Sequence, residues 1–202
     1  TNMMNAIIHR GPDSAGTYID DQVALGFRRL SIIDLGGGDQ PLYNEDNSIV
    51  LVFNGEIYNY QELRPDLIAQ GHRFRTESDS EVLIHLYEQY GTEMLNKLRG
   101  MFAFVLWDQN KELLFMAHDY FGIKPLYYAK MGGSFLFASE IKAFLHHPNF
   151  KKELNLPILE QYLSFQYSPC EETFFKNVYK LPPAHYLTCY KGKIEVKRYW
   201  EP

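Results

Sequence analysis

The sequence predicts an α+β domain in which two mainly antiparallel sheets pack together and helices cover them from outside. Three features indicate this fold: short strands at regular intervals, a smaller number of helical segments, and strands that are apolar on both faces. Short strands separated by turn residues are typical of antiparallel sheets. A strand that is apolar on both faces needs a covering layer on each side. A layered α+β domain meets both requirements.

The first part of the chain contains one strongly apolar strand. Residues 48–53 (SIVLVF) form this strand, which we expect to end where Asn54-Gly55 begins. A helix over 57–70 follows, and Pro65 within it favours a kink. The earlier segments are, in order, a helix over 1–8, a loop over 9–16, strands over 17–19 and 22–28 with a continuation over 31–34, and a glycine-rich loop over 35–40.

A capping box predicts the start of the next helix. Ser78 and Glu81 have the S-x-x-E spacing in which each side chain caps the backbone N–H of the other residue. This spacing places Asp79 in the first turn of the helix, and Gly91 ends it. The remaining predicted elements are strands over 101–107, 113–117, 126–129 and 134–138, helices over 140–146 and 156–165, and a hairpin of 185–190 and 193–199.

The composition excludes several classes of protein. A chain with 46% hydrophobic and 22% charged residues is globular rather than disordered. The net charge of −5 gives no reason to expect a nucleic-acid partner, and no apolar run reaches the roughly 20 residues of a membrane helix. Cys170 and Cys189 lack metal-ligand spacing and favour a reducing, cytoplasmic setting. The histidines are scattered, so the sequence predicts no metal site.

Two adjacent pairs of residues are candidates for ligand binding, and each has a simpler interpretation. Arg28 and Arg29 point to opposite faces of a strand, so one of them faces inward and can bind a carboxylate. The alternative is that both are solvated. Asn54 and Gly55 can place a side-chain amide beside a backbone N–H, as in an oxyanion hole. The alternative is a hairpin turn, which fits poorly because a helical pattern follows.

Acidic residues complete a set of groups that suits an amino-acid ligand. Asp79 can hold an ammonium group, although a carboxylate in a first helical turn also compensates the helix dipole without any ligand. The set then contains an arginine for a carboxylate, an acid for an ammonium group and an oxyanion hole. The sequence shows no GxSxG elbow and no Walker-type phosphate loop, and therefore no obvious nucleophile.

Eight segments form an ordered series that resembles one known family. They are HRGPDSAG (9–16), RLSIID (29–34), QPLYN (40–44), FNGEIYNYQELR (53–64), ESDSEVL (77–83), GMFAFVLWD (100–108), DYFGIKPLYY (119–128) and FASEIKAF (137–144). In this order they resemble the N-terminal glutaminase domain of the glutamine-hydrolysing asparagine synthetases. The resemblance covers nearly the whole chain. It implies the class II glutamine amidotransferase fold, a four-layer αββα sandwich of the N-terminal-nucleophile hydrolase type.

The resemblance also implies a role for each candidate residue. Arg29 binds the α-carboxylate of glutamine, the Asn54 side chain and the Gly55 N–H form the oxyanion hole, and Glu56 and Asp79 hold the α-ammonium group. The implied reaction releases ammonia from the glutamine side chain. Ammonia then passes to a C-terminal synthetase domain, where ATP and Mg²⁺ activate aspartate for conversion to asparagine. The resemblance implies no cofactor for the glutaminase domain itself. It does not decide whether the protein forms a homodimer.

The sequence departs from the family at the nucleophile. The family uses an N-terminal cysteine, and no cysteine precedes His9 here. We therefore expect residues 1–202 to be a glutaminase domain that lacks its first strand and part of its first helix, with the synthetase domain outside this sequence. Such a fragment is expected to be inactive, and Thr1 is a poor substitute for the cysteine. Two alternatives stay open: a synthetase with another acceptor, such as a β-lactam precursor or a polysaccharide-linked carboxylate, and a non-catalytic interaction domain.

Overall fold

A computed structural model of the chain describes residues 1–30 and 39–201. Its α-helices are α1 (Asn2–Ala6), α2 (Tyr60–Ala69), α3 (Glu81–Tyr90) and α4 (Leu156–Phe165), and its 3₁₀ helices are Ile8–Arg10, Gly91–Lys97 and Ile141–His146. Its strands are β1 (Ser14–Ile19), β2 (Ala24–Arg29), β3 (Leu42–Tyr43), β4 (Ile49–Ile57), β5 (Gly100–Asp108), β6 (Leu113–His118), β7 (Tyr127–Met131), β8 (Ser134–Ala138), β9 (Val178–Lys180), β10 (His185–Tyr190) and β11 (Lys193–Arg198).

These elements fall into two compact units. The smaller unit contains Thr1–Ile8 and Pro125–Pro182, and the larger unit contains His9–Lys124 and Pro183–Pro202. The larger unit holds a six-stranded sheet in the order β11-β10-β6-β5-β4-β3 and a separate hairpin of β1 and β2. All of its strand pairs are antiparallel. The predicted α+β fold with mainly antiparallel sheets is therefore confirmed.

The core of the larger unit lies on one face of the six-stranded sheet. Because side chains alternate along a strand, Leu51, Phe53 and Ile57 of β4 share that face. They are buried together with apolar residues of α2 and α3, including Leu67 and Leu83. The alternate residues of β4, starting with Val50, point to the opposite face of the sheet. The sheet thus fixes which β4 side chains enter the core and which face away from it.

The smaller unit is built on a second antiparallel sheet, in the order β8-β7-β9. Its core includes Ala129 and Met131 of β7, Leu136 of β8 and Phe144 of the following 3₁₀ helix. The strands over 126–129 and 134–138 and the helices over 140–146 and 156–165 agree with the sequence-based predictions. The short strands β3 and β9 were not predicted, because two or three residues leave no periodic pattern. The 3₁₀ helix Gly91–Lys97 was also not predicted.

The prediction for the end of β4 was wrong. The strand does not stop at Phe53 but continues through Asn54-Gly55-Glu56 to Ile57, and α2 begins only at Tyr60. Two glycines permit this extension. A Cβ atom at Gly55 would overlap the Met101 carbonyl oxygen, and one at Gly100 would overlap the Glu56 carbonyl oxygen. The two backbones of β4 and β5 therefore approach closely beyond the point where the sequence predicted the end of the strand.

The predicted capping box does not form. Helix α3 begins at Glu81, after Ser80, so Asp79 precedes the helix rather than lying in its first turn. The Glu81 carboxylate instead accepts hydrogen bonds of 2.7 Å from the backbone N–H groups of Arg75 and Thr76. The predicted strand over 31–34 and most of the predicted loop over 35–40 lie outside the described residues. Among the described residues, no helix is long and apolar enough to cross a membrane.

Candidate functional site

The candidate site lies along one edge of β4. Strand β3 pairs only with Leu51 and Val50, so it covers only part of this edge. Beyond that point the side chain of Gln40 takes the place of a strand. Its Nε2 donates to the Phe53 carbonyl at 3.0 Å, and its Oε1 accepts from the Phe53 N–H at 2.6 Å. Gln40 therefore satisfies both backbone groups of the residue before Asn54.

Asp79 covers the same edge four residues further along. Its Oδ2 accepts a 2.7 Å hydrogen bond from the Ile57 N–H. The carboxylate is only 6% exposed. Because backbone groups of alternate strand residues point to the same side, Phe53, Gly55 and Ile57 all direct their N–H groups to this edge. Gln40 occupies the first position and Asp79 the third.

The Gly55 N–H thus lies between these two side chains. Gly55 is paired with Phe102 of the neighbouring strand β5. The backbone groups of Phe102, however, point away from β4. The Phe102 N–H donates to the Asp119 carboxylate at 3.1 Å, and the Phe102 carbonyl accepts from the Asp119 N–H at 2.9 Å. Gly55 and Phe102 are therefore a non-hydrogen-bonded pair. This geometry leaves the Gly55 N–H directed outward, toward any ligand at the edge.

Asn54 supplies a second donor beside this N–H. Its side-chain nitrogen Nδ2 is buried and has no hydrogen-bond partner within the described part of the chain. A buried polar group without a partner costs about 1–3 kcal/mol, and such groups are uncommon in native structures. A ligand oxygen placed between Asn54 Nδ2 and the Gly55 N–H would satisfy both donors. Asn54, Gly55 and Glu56 are half-buried as whole residues, although the Asn54 Nδ2 atom itself is enclosed.

The two acids of the site influence each other electrostatically. Burial raises the pKa of Asp79, the hydrogen bond from Ile57 opposes that rise, and the nearby negative charge of Glu56 adds to it. A cation held near both carboxylates would reduce this repulsion and favour the ionised form of Asp79. The charges of this pair suit an ammonium group, which is the role that the family resemblance implies for Glu56 and Asp79.

The adjacent arginines differ in their surroundings. Arg29 is 7% exposed, and its Nη1 donates to the Asp39 carboxylate at 3.0 Å. Arg28 is half-buried rather than solvated, and its Nε is enclosed without a hydrogen-bond partner among the residues that the structure describes. Since Asp39 precedes Gln40, the Arg29 guanidinium contacts the same short segment that reaches the edge of β4. Arg29 is thus the buried, carboxylate-binding member of the pair.

Sequence reasoning missed two residues that shape this edge. Gln40 is the last residue of the predicted glycine-rich loop over 35–40, and nothing in its spacing indicated a backbone contact with Phe53. Asp119 is fully buried, and its carboxylate also accepts from the N–H groups of Phe121 and Ile123. A lone acid between two strands gave no signal of this role. Of the two cysteines, Cys170 belongs to the smaller unit and Cys189 to β10.

Comparison with known proteins identifies the family of the chain. Residues 1–200 match the family model described as a glutamine amidotransferase domain. The chain is 47% identical over 200 residues to asparagine synthetase [glutamine-hydrolyzing] 1 of Bacillus subtilis (strain 168), a match that covers 98% of this chain and 32% of that protein. It is 41% identical over 202 residues to the amidase chry2 of Gibberella zeae, covering 98% of this chain and 29% of that protein.

A solved structure shows the same fold. The glutamine phosphoribosylpyrophosphate amidotransferase of Bacillus subtilis aligns with a TM-score of 0.68 at 21% identity, over 98% of this chain and 45% of that one. The chain belongs to the glutamine amidotransferase domain family. It spans about a third of the length of the curated relatives that it matches.

Proposed function

We propose that this chain is the glutaminase domain of a glutamine-hydrolysing asparagine synthetase. The observation that carries the proposal is the pair of donors at the edge of β4, the outward Gly55 N–H and the buried Asn54 amide. Together with the acids Glu56 and Asp79 and the buried Arg29, these donors match the α-ammonium, α-carboxylate and side-chain amide groups of glutamine. The similarity to several Bacillus subtilis asparagine synthetases, at 40–47% identity, supports the same proposal.

In the proposed complex, Arg29 binds the α-carboxylate of glutamine in the way it now binds the Asp39 carboxylate. Glu56 and Asp79 hold the α-ammonium group. The side-chain amide then extends along β4 toward Asn54 and Gly55. These contacts fix the reacting carbon beside the two donors, and such positioning lowers the entropic part of the barrier.

The reaction is an acyl transfer in two steps. A thiolate attacks the amide carbon, and the carbonyl oxygen becomes an oxyanion that accepts from Asn54 Nδ2 and the Gly55 N–H. The C–N bond breaks, the nitrogen takes a proton and leaves as ammonia, and water then hydrolyses the thioester to glutamate. Cys189 lies on β10, which β6 and β5 separate from β4. We therefore propose that the thiolate comes from a cysteine outside this sequence, as the family resemblance implies.

The acceptor reaction belongs to the remainder of the parent protein. We propose that ammonia is delivered to a C-terminal synthetase domain, which binds ATP, Mg²⁺ and aspartate and forms asparagine in the cytoplasm. The glutaminase domain would require no cofactor for its own reaction. Mass spectrometry of the product formed from glutamine, aspartate and ATP distinguishes asparagine from the amide of another acceptor.

Substitution of Asn54 tests the proposed site in the full-length parent. Asn54→Ala should lower glutamine hydrolysis by about 10²–10³-fold, the usual effect of losing one oxyanion-hole donor. Synthesis supported by free ammonia should continue at the parent rate. The matched control is Asn96→Ala, since the Asn96 side chain only contacts Glu93 at the surface. Equal hydrolysis by Asn54→Ala and the parent, or equal loss of both activities, would contradict the assignment.

A further inference from the structure

Four metal-ligating side chains converge in the larger unit, and none of them belongs to the candidate site described above. They are Glu45, which follows β3, His72, which lies between α2 and α3, and His85 and Glu88 of α3. One nitrogen or oxygen atom from each lies within 4.8 Å of the corresponding atoms of the other three. Only His85 and Glu88 are close in sequence, so no motif revealed the cluster.

The separations within the cluster suit a single metal ion. Glu88 Oε2 lies 3.0 Å from His85 Nδ1 and 3.3 Å from His72 Nδ1. Glu45 Oε2 lies 4.0 Å from His85 Nδ1. Zinc binds imidazole nitrogen and carboxylate oxygen at about 2.0–2.2 Å in a tetrahedron, which places neighbouring ligand atoms about 3.3 Å apart. Small side-chain rotations would bring the four atoms to this spacing.

Each imidazole also has a protein group at its other nitrogen. His85 Nε2 lies 3.7 Å from the buried Glu81 carboxylate, and His72 Nε2 lies 3.4 Å from Gln89 Oε1. Metal-binding histidines usually direct their second nitrogen to a carboxylate or another oxygen, which orients the ring and favours one tautomer. His85 Nε2 lies near Glu81 but beyond hydrogen-bond distance, and it has no hydrogen-bond partner among the described residues. The His85 residue is 1% exposed.

The two carboxylates are held in the same manner. The second oxygen of Glu88 accepts from Asn44 Nδ2 at 2.9 Å, and the second oxygen of Glu45 accepts from the Arg73 N–H at 3.0 Å. One oxygen of each carboxylate is therefore fixed by the protein, and the other points into the cluster. Both carboxylates are therefore oriented by groups outside the cluster.

We propose that Glu45, His72, His85 and Glu88 bind one divalent transition-metal ion of the zinc class. Two imidazoles and two carboxylates are ligands that Zn²⁺ accepts, whereas Mg²⁺ and Ca²⁺ favour sites made of oxygen alone. The ion would join the turn after β3, the segment between α2 and α3, and α3 itself. It would thereby restrain the segment that leads to Asp79, and its role would be structural rather than catalytic.

A metal-free explanation exists for the same arrangement. A protonated His85 between Glu81 and Glu88 would form an ion cluster without any metal. The two explanations differ in their consequences. The ion cluster takes up no Zn²⁺ and does not need His72 or Glu45, which contribute only weakly to it. The metal site needs both residues, and their removal must lower the affinity for the ion.

Calorimetric titration of the full chain with ZnCl₂, after EDTA treatment and removal of any affinity tag, tests the proposal. We expect one Zn²⁺ per chain and a rise in Tm of about 5–10 °C at 100-fold excess over Kd. His72→Asn and Glu45→Gln should each weaken binding by at least about tenfold. Glu45 is exposed and His72 is only partly buried. These two variants should therefore fold even if a variant at the buried His85 does not.

Two matched substitutions outside the cluster serve as controls. His146→Asn and Glu93→Gln change exposed residues of the same types and should leave Zn²⁺ binding unchanged. Replacement of Zn²⁺ by Co²⁺ should give the visible absorption of a tetrahedral site, and His72→Asn should lose it. Absence of Zn²⁺ binding, or binding of equal affinity in His72→Asn, Glu45→Gln and the parent, would overturn the proposal.

Discussion

The Asp79 carboxylate accepts a 2.7 Å hydrogen bond from the backbone N–H of Ile57, which fixes an acid against the edge of β4. This bond stabilises the ionised form of Asp79, whereas burial and the charge of Glu56 destabilise that form. Burial raises the pKa of Asp79, and the negative charge of Glu56 raises it further, against the effect of the Ile57 bond. A binding group that the free protein disfavours in its charged form is expected where a cationic ligand supplies the missing charge.

These opposing contributions predict that Asp79→Asn changes protein stability and glutamine binding in opposite directions. An amide keeps an oxygen for the Ile57 N–H but carries no charge. The free energy of unfolding at pH 7 should therefore equal or exceed that of the parent. Glutamine affinity of the full-length protein should fall at least about tenfold, since a hydrogen bond to a charged group contributes about 1.5–3 kcal/mol. Urea denaturation and glutamine calorimetry measure the two effects.

The pH dependence provides a separate check of the same variant. A raised pKa means that the folded chain keeps a proton on Asp79 where the unfolded chain has lost it. Stability from this group therefore falls as pH rises from about 4, the unfolded value. Asp79→Asn should remove this decline, whereas Asp66→Asn, at an exposed position of α2, should retain it. A large loss of stability in Asp79→Asn at pH 7 would show that the charge itself supports the fold.

Gly55→Ala should destabilise the larger unit strongly. The new Cβ would overlap the Met101 carbonyl oxygen on the adjacent strand, so β4 and β5 would have to separate. We expect a loss of about 2–4 kcal/mol in urea denaturation, as for other substitutions that overpack a closed space or strain the backbone. Gly192→Ala is the control: its φ is +75° but no atom lies near its Cβ, so only a conformational cost of about 1 kcal/mol applies. Equal losses in the two variants would argue against the close approach.

Gln40→Leu should disturb the site indirectly, because Gln40 contacts the backbone of Phe53 and is not among the proposed glutamine-binding residues. The substitution leaves the N–H and carbonyl of the buried Phe53 without partners, which costs about 1–3 kcal/mol of stability. Because Phe53 precedes Asn54, the donor pair should also lose its fixed position, and kcat for glutamine hydrolysis in the parent should fall while ammonia-dependent synthesis persists. Gln61→Leu, on the exposed side of α2, should change neither quantity. Unchanged stability in Gln40→Leu would remove Gln40 from the description of the edge.

The sequence predicted most elements because their apolar patterns are long. It failed where geometry between distant residues decides the outcome. The continuation of β4 depends on Gly100 of the next strand, and the role of Glu81 depends on the loop at Arg75. The roles proposed for Arg29, Asn54 and Gly55 came from the family resemblance, since spacing alone could not separate an oxyanion hole from a turn. The contact of Gln40 and the convergence of His72 with His85 required three-dimensional positions.

Asp20 connects the β1–β2 hairpin to the six-stranded sheet. Its Oδ2 accepts from Tyr18 Oη and from Trp107 Nε1, each at 2.8 Å, and its Oδ1 accepts from the N–H groups of Gln22 and Val23, each at 2.7 Å. Burial acts to raise the pKa of Asp20, but these four donors outweigh it and lower the pKa below the ordinary value. A lowered pKa stabilises the folded chain above the unfolded value and loses this contribution as pH falls through the folded value.

Asp20→Asn should therefore lower the free energy of unfolding at pH 7 by about 1–3 kcal/mol, since charged acceptors form the stronger hydrogen bonds. The difference from the parent should shrink as the pH falls below about 4, because the parent carboxylate is then protonated as well. Asp21→Asn, at the exposed neighbouring position, should have no such effect. Trp107→Phe should reproduce part of the loss at pH 7, because it removes one of the four donors while keeping an aromatic ring. Urea denaturation of the variants between pH 3 and 7 measures these differences. If the difference in free energy of unfolding between Asp20→Asn and the parent stayed constant over this range, the account would be wrong, because a pH-independent loss would come from packing rather than from the charge.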